Sequence, residues 1–156
     1  MFLADTNVLL YAADEASEFH PACRELLEVW RRQVTPWFLT WGICYEFLRV
    51  ATHPRVFRRP WTAREAWLFL DALLAAPPLT VLAPTRRHPE VLGQTLREHP
   101  DARGNLMHDL HTVVLMREHG ISRIVTRDND FRQFPFLTVV DPLRSGGAGG
   151  GRRRGG

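Results

Sequence analysis

Two kinds of apolar pattern alternate along this chain. Short apolar runs rich in β-branched and aromatic residues predict β-strands at 2–4, 35–39, 79–82, 124–125 and 137–140. Between them, apolar residues at three- to four-residue spacing predict helices at 6–13, from Glu18 or His20 to 32, and at 41–51, 66–75, 89–98 and 106–119. Strands alternating with helices are typical of a mostly parallel sheet with helices on both faces. We therefore predict a three-layer α/β/α fold with about five strands.

Local signals support several of these boundaries. Thr40 is placed to cap the helix at 41–51, and Thr62 and Glu65 have the spacing of a capping box. Pro77-Pro78 is expected to stop the preceding helix, and Gly120 to end the helix at 106–119.

Five carboxylates fall at related points of this pattern. Asp5 directly follows the first strand, and Asp128 and Asp130 follow the fourth. Glu46 lies early in the helix after the second strand, and Asp109 in the first turn of the helix before the fourth. Ligands of such folds bind beyond the carboxyl ends of the strands, so these side chains are expected to meet there. Carboxylates at close range repel one another, and a hard divalent ion with oxygen ligands, Mg²⁺ first, would hold them together.

Each carboxylate also has a purely structural interpretation. Asp5 is a possible helix N-cap, and Glu46 is compatible with a solvated helix face. Asp109 would favour its helix N-terminus electrostatically, while Asp128 and Asp130 suit a turn. These interpretations are partly independent, so the cluster is better supported than any one member.

The composition constrains the class of protein but does not by itself indicate a function. The 156 residues, 45% hydrophobic and 24% charged, are ordinary for one globular domain. Of the 20 basic residues, three are in the arginine run 152–154, and the remaining 17 equal the 17 acidic residues. Charge alone therefore indicates nucleic acid only through this run. We predict a folded domain over residues 1–143 and a disordered Gly/Arg-rich tail over 144–156, either incidental or an RNA-attracting arm.

The absence of particular residue types and patterns excludes several classes of binding site and enzyme. The chain has no lysine, so a Walker-type phosphate loop has no candidate. Cys23 and Cys44 form no zinc pattern and are expected to be buried free thiols in a reducing compartment. A haloacid dehalogenase-type phosphatase would need a second Asp where Asn7 stands, and a lysine. No apolar run is long enough to span a membrane and no secretory signal is apparent, so we expect a cytoplasmic protein.

Four motifs follow one another along the chain: Asp5-Thr6-Asn7-Val8-Leu9-Leu10-Tyr11-Ala12, the helix that carries Glu46, Gly104-Asn105-Leu106-Met107-His108-Asp109, and Thr126-Arg127-Asp128-Asn129-Asp130-Phe131. Together they resemble the PIN-domain ribonucleases, and within them the VapC toxins of type II toxin–antitoxin systems. The resemblance covers residues 1–143 and implies a PIN-like version of the predicted fold.

The resemblance also implies roles for particular residues. Asp5, Glu46, Asp109 and Asp128 match the catalytic, metal-binding carboxylates, and Asp130 matches a further metal ligand. Four polar positions match residues that brace the cluster: Thr6, Asn7, Asn105 and Thr126.

By the same resemblance, the protein is expected to be a Mg²⁺-dependent endoribonuclease, with Mn²⁺ as a second possible ion, that hydrolyses RNA through metal-activated water. A cognate antitoxin protein and a homodimer are the implied partners, with Arg103 and Arg127 as candidate RNA contacts. His108 and His111 flank Asp109 where relatives more often carry small residues after this Asp, and a contact of either with substrate phosphate is possible.

Two points stay open at this level. The alternative function is a non-catalytic PIN-like module that binds RNA or a protein, although such a module has no reason to keep mutually repelling carboxylates. The aromatic residues are expected mainly in the core, with Trp61 and Trp67 as alternatives for a dimer surface.

Overall fold

Five strands form one sheet in the computed structural model, which describes residues 1–144. They are β1 (Phe2–Ala4), β2 (Trp37–Thr40), β3 (Leu79–Leu82), β4 (Arg123–Val125) and β5 (Thr138–Val140). Their order is β3-β2-β1-β4-β5, and every neighbouring pair is parallel. The predicted five-stranded sheet is confirmed, and within residues 1–144 it is parallel throughout.

Six helices cover the two faces of this sheet and give the predicted three-layer α/β/α architecture. They are α1 (Thr6–Ala13), α2 (His20–Arg32), α3 (Trp41–Ala51), α4 (Ala63–Leu74), α5 (His88–Glu98) and α6 (Leu106–Glu118). A short 3-10 helix, Asn129–Gln133, follows β4. The predicted tail from residue 145 onward lies outside the described residues.

Two element boundaries differ from the prediction by more than one residue. β2 begins at Trp37 rather than at residue 35, because Pro36 has no N–H to donate and the Trp37 N–H makes the first bond, to Pro78 O at 3.0 Å. α4 begins at Ala63 rather than at 66, since the Thr62 hydroxyl accepts from the Glu65 N–H and the Glu65 carboxylate accepts from the Thr62 N–H.

Other predicted boundaries are confirmed to within one residue. The Thr40 side chain caps α3 by accepting from the Ile43 N–H at 3.1 Å. α6 ends at Glu118, one residue before the predicted end; after the cap residue His119, Gly120 adopts φ 67°, and Ile121 N–H donates to Met116 O at 2.9 Å across the turn. A glycine at this position avoids the Cβ clash that a left-handed backbone gives other residues.

The core lies on both faces of the central strands. All three residues of β1 are buried, and Phe2 packs against Trp30 and Trp37 with ring centroids 4.7 Å and 6.4 Å away. Cys23 and Cys44 are buried free thiols, as predicted. Burial raises the pKa of both thiols to about 11.

The two tryptophans proposed for a surface have different environments. Trp61 packs edge-on against Phe57 and Phe69, at 6.3 Å and 5.6 Å between centroids, and is part of the aromatic packing under α4. Trp67 is 43% exposed on α4. Within residues 1–144, no helix has both the length and the apolar character needed to cross a bilayer.

Candidate active site

One cavity, of about 720 Å³, opens at the carboxyl edge of the sheet. All five carboxylates singled out in the sequence line it: Asp5, Glu46, Asp109, Asp128 and Asp130. Residues separated by more than 100 positions in the chain therefore line the same cavity.

The sheet order explains the convergence. β1 is the central strand and pairs with β2 on one side and β4 on the other, so Asp5 and Asp128 leave neighbouring strands in the same direction. Glu46 is in the second turn of α3, which starts where β2 ends, and Asp109 is in the first turn of α6. Parallel strands thus deliver all of these side chains to one edge.

Asp5 is held by three hydrogen-bond donors. Its Oδ1 accepts from the Thr6 N–H at 2.7 Å, which caps α1. Its Oδ2 accepts from Asn7 Nδ2 at 2.7 Å and from the Thr126 hydroxyl at 2.6 Å. The helix-cap interpretation of Asp5 and the cluster interpretation are therefore both satisfied by one conformation.

Three carboxylates approach one another most closely. Asp109, Asp128 and Asp130 each offer one oxygen, and these oxygens lie within 4.8 Å of one another. Asp128 also accepts from the Asp130 N–H at 2.8 Å, so it caps the 3-10 helix at the same time. A set of carboxylate oxygens without nitrogen or sulfur is the donor type that Mg²⁺ and Ca²⁺ prefer, so the residues fit a hard divalent ion.

The electrostatics of the cavity are unfavourable without such an ion. Burial, and then the charges of Glu46 and Asp128, raise the pKa of Asp5 to about 6 against the hydrogen bonds that lower it. Burial, followed by the charges of Asp5, Asp128, Glu46 and Asp130, raises the pKa of Asp109 to about 7. Both carboxyls therefore keep their protons to a higher pH than an ordinary aspartate does.

Comparison with known proteins agrees with this geometry. A model of the PIN domain matches residues 2–137. The chain is 31% identical over 139 residues to ribonuclease VapC48 of Mycobacterium tuberculosis, covering 89% of this chain and 95% of that protein. It is 35% identical over 143 residues to ribonuclease VapC43 of the same organism, covering 92% and 96%. The chain belongs to the PIN-domain family, among its VapC ribonucleases.

Solved structures show the same fold. VapBC2 from Rickettsia felis, bound to a promoter DNA fragment, superposes with a TM-score of 0.62 at 16% identity, covering 88% of this chain and 96% of that one. VapC20 of Mycobacterium tuberculosis, a toxin that cleaves the sarcin–ricin loop, gives 0.61 at 17% identity, covering 85% and 93%.

Glu46 of this PIN domain has an ion-pair partner that was not predicted from the sequence. Arg49 Nη2 lies 3.5 Å from Glu46 Oε1, and Arg49 also lines the cavity. Thr6 donates its hydroxyl to Glu46 Oε2 at 3.2 Å. The i,i+3 spacing of Glu46 and Arg49 on one helix was the available signal for this pair.

The bracing residues of the PIN motifs fall into two groups. Thr6, Asn7 and Thr126 contact the carboxylates directly, as described above. Asn105 lines the cavity but makes no capping bond to α6. Its bracing role stays a prediction.

The two arginines predicted to contact RNA do not line this cavity. Arg103 is exposed in the loop before α6. The Arg127 guanidinium lies 4.2 Å from the centre of the Phe19 ring, and its Nε lies 3.9 Å from Asp141 Oδ1. Their contact with RNA stays a prediction.

Both histidines near Asp109, His108 and His111, line the cavity. Burial lowers the pKa of His111, and the neighbouring His88 and His108 lower it further. The neutral imidazole of His111 is therefore favoured near the mouth of the PIN-domain cavity.

Proposed function

We propose that the protein is a Mg²⁺-dependent endoribonuclease that acts as the toxin of a toxin–antitoxin pair. The observation that carries this proposal is the common cavity of Asp5, Glu46, Asp109, Asp128 and Asp130 in a chain of the VapC ribonuclease family. RNA phosphodiesters are the proposed substrate, with 5′-phosphate and 3′-hydroxyl products.

The donor set defines how a metal would be held. Asp109, Asp128 and Asp130 supply the three closest oxygens, and Asp5 and Glu46 face the same cavity. Bound there, Mg²⁺ or Mn²⁺ would lower the pKa of a water molecule and stabilise charge on the leaving 3′ oxygen. Because a dication relieves the repulsion that raises the pKa of Asp5 and Asp109, both carboxylates are expected to be ionised in the loaded protein.

The surrounding residues have distinct tasks in this scheme. Thr126, Asn7 and the Thr6 N–H fix the Asp5 carboxylate, so it needs no reorientation when substrate arrives. Arg49 pairs with Glu46 and supplies a positive charge for a phosphate at a cavity wall that also carries five carboxylates.

Substitution of the carboxylates tests the site. Asp109→Asn and Asp5→Asn should each abolish Mg²⁺-dependent cleavage of total RNA, and Asp109→Asn should do so with a circular dichroism melt at or above that of the wild type. Asp71→Asn, which neutralises an exposed carboxylate on α4, is the matched control and should cleave normally. Cleavage retained by either site variant refutes this assignment.

Calorimetric titration with Mn²⁺ separates the enzyme from a non-catalytic module that only binds RNA or protein. Binding in the micromolar to millimolar range that is lost in Asp109→Asn supports the enzyme. No binding by the wild type favours the module.

The partners follow from the family. We propose a homodimer that arranges arginines of both copies around an RNA groove, since the charges of residues outside the arginine run balance. We also propose a cognate antitoxin protein and action in the cytoplasm. Light scattering of the purified chain tests the dimer, and a monomer at micromolar concentration would count against it.

A further inference from the structure

The outer face of α3 carries an exposed row of flat side chains beside the cavity. Trp41, Tyr45 and Arg49 follow at four-residue spacing, and so lie along one side of the helix. Trp41 is 49% exposed and Tyr45 70%, and the Arg49 side chain is 68% exposed. On the opposite side of α3, Ile43 and Phe47 are buried in the core, which fixes the helix beneath this row.

The row is continuous with the proposed active site. Tyr45 and Arg49 line the same cavity as the five carboxylates, and Glu46 is the next residue after Tyr45. Among the described residues, neither Trp41 nor Tyr45 stacks on another aromatic ring. Two large, partly exposed rings therefore lie at the cavity wall (Tyr45) and one helical turn away from it (Trp41).

We propose that Trp41 and Tyr45 form a stacking platform for the bases of single-stranded RNA, and that Arg49 contacts a phosphate of the same strand. This inference rests on the proposed ribonuclease function and identifies residues that would bind the RNA strand next to the phosphodiester that is cleaved.

The chemistry of the row favours this occupant. Aromatic rings bind successive unpaired bases by stacking whatever their sequence, whereas a duplex keeps its bases covered. Four residues of helix advance about 6 Å, a distance that neighbouring bases of a flexible single strand span readily. A guanidinium at the end of the row, at the wall of the cavity, suits a phosphate of the same strand.

Binding measured without cleavage tests the platform. The probe is a labelled single-stranded RNA of about ten nucleotides, followed by fluorescence anisotropy with Ca²⁺ in place of Mg²⁺. Tyr45→Ala and Trp41→Ala should each weaken binding about tenfold, within the range found for loss of one base-stacking ring. Tyr45→Phe and Trp41→Phe keep a ring and should bind like the wild type.

A second probe isolates the bases. The same ribose–phosphate strand without bases should bind the wild type and the alanine variants equally, since it has nothing to stack. Leu68→Ala removes a comparably exposed apolar side chain of α4 outside the cavity and should change neither affinity. Mn²⁺ affinity should be unchanged in all of these variants.

Three outcomes overturn the inference. The first is that the alanine variants bind RNA as tightly as the wild type does, and the second is that they lose affinity equally for the strand without bases. The third is that light scattering shows a changed oligomeric state in these variants, which would assign this face to a second copy of the chain. None of these outcomes would refute the proposed nuclease function. That proposal would be refuted by cleavage retained in Asp109→Asn.

Discussion

The Thr126 hydroxyl lies 2.6 Å from Asp5 Oδ2, although 121 residues separate the two in the chain. The same hydroxyl oxygen accepts from Asn7 Nδ2 at 2.7 Å and from the Asp128 N–H at 2.9 Å. Since Thr126 is itself fully buried, this oxygen joins the ends of β1 and β4, orients the Asp5 carboxylate and fixes the backbone at Asp128.

Replacing Thr126 by valine should therefore affect both stability and metal use. Thr126→Val keeps the shape of the side chain but removes a hydroxyl that donates one hydrogen bond and accepts two. Asp5, Asn7 and Asp128 therefore each lose one hydrogen bond. We expect a loss of about 1–3 kcal/mol in the free energy of unfolding, measured with urea. The Mg²⁺ concentration for half-maximal cleavage should also rise.

Thr95→Val is the matched control, because Thr95 is equally buried but bonds Val91 O within α5. It should leave the Mg²⁺ requirement unchanged. An unaltered Mg²⁺ requirement in Thr126→Val would show that Asp5 does not need this hydroxyl for its role.

The raised pKa values of Asp5 and Asp109 predict that the metal-free protein becomes less stable as the pH rises. Both carboxyls titrate near 3.8 when unfolded, and at about 6 and about 7 when folded. Between these limits the native state binds more protons, so its stability is full below the unfolded pKa and is lost as the pH rises through the folded values. At about 1.4 kcal/mol per pH unit for each group, the part of this loss that falls between about pH 5 and about pH 8 should be at most about 4 kcal/mol.

Thermal melts in a chelator from about pH 5 to about pH 8 measure this loss. The Asp5→Asn, Asp109→Asn double variant should lack it. This comparison also cancels His111, whose lowered pKa acts in the opposite direction. Saturating Mg²⁺ should flatten the profile of the wild type, and an equally steep profile in the double variant would contradict the assignment of these pKa values.

The convergence of the carboxylates was predictable because it depends on the sheet alone. A buried run followed at once by Asp5, and another followed by Asp128, place both residues at strand ends in any parallel arrangement. The order of the strands, which decides which ends are adjacent, was not predicted; the structure places β1 between β2 and β4.

Details that depend on side-chain direction were not predictable in this way. Arg127 follows β4 directly, yet its long side chain turns to Phe19 and Asp141 rather than to the cavity. The ion pair of Arg49 with Glu46 was also not predicted. The i,i+3 spacing shows that the two side chains are neighbours on one helix face, but not that this face borders the cavity. The short 3-10 helix after Asp128 was also missed, since five residues carry no periodic signal.

A buried carboxylate outside the cavity predicts a distinct effect on stability. The Glu118 side chain is fully inaccessible; its Oε1 accepts from the Thr85 N–H at 2.8 Å, and its Oε2 lies 2.6 Å from His88 Nδ1. Burial raises the pKa of Glu118, but the hydrogen bonds from Thr85 and His88 outweigh it and lower the pKa overall. Glu118→Gln places an amide against these donors and should cost about 1–3 kcal/mol in urea unfolding.

The control is Glu90→Gln, which changes a carboxylate whose ion pair with Arg87, at 3.7 Å, is exposed on both sides. Exposed ion pairs contribute little, so its midpoint in urea should stay close to that of the wild type. Equal effects of the two substitutions would mean that Glu118 does not join the end of α6 to the segment before α5.

Gly42 offers the opposite kind of change, a substitution at the cavity that should stabilise the protein. It lies in α3, where its backbone is helical, and an added Cβ would meet His111 Nδ1 and Thr40 Oγ1 at 3.5 Å, an ordinary contact distance. Gly42→Ala should therefore raise the free energy of unfolding by about 0.5–1 kcal/mol, because alanine loses less backbone freedom on folding. Gly120→Ala, at φ 67°, is the matched control and should lower it, by about 1 kcal/mol. If Gly42→Ala destabilises the protein instead, α3 and α6 approach more closely at this end of the cavity than the Cβ distances to His111 and Thr40 imply.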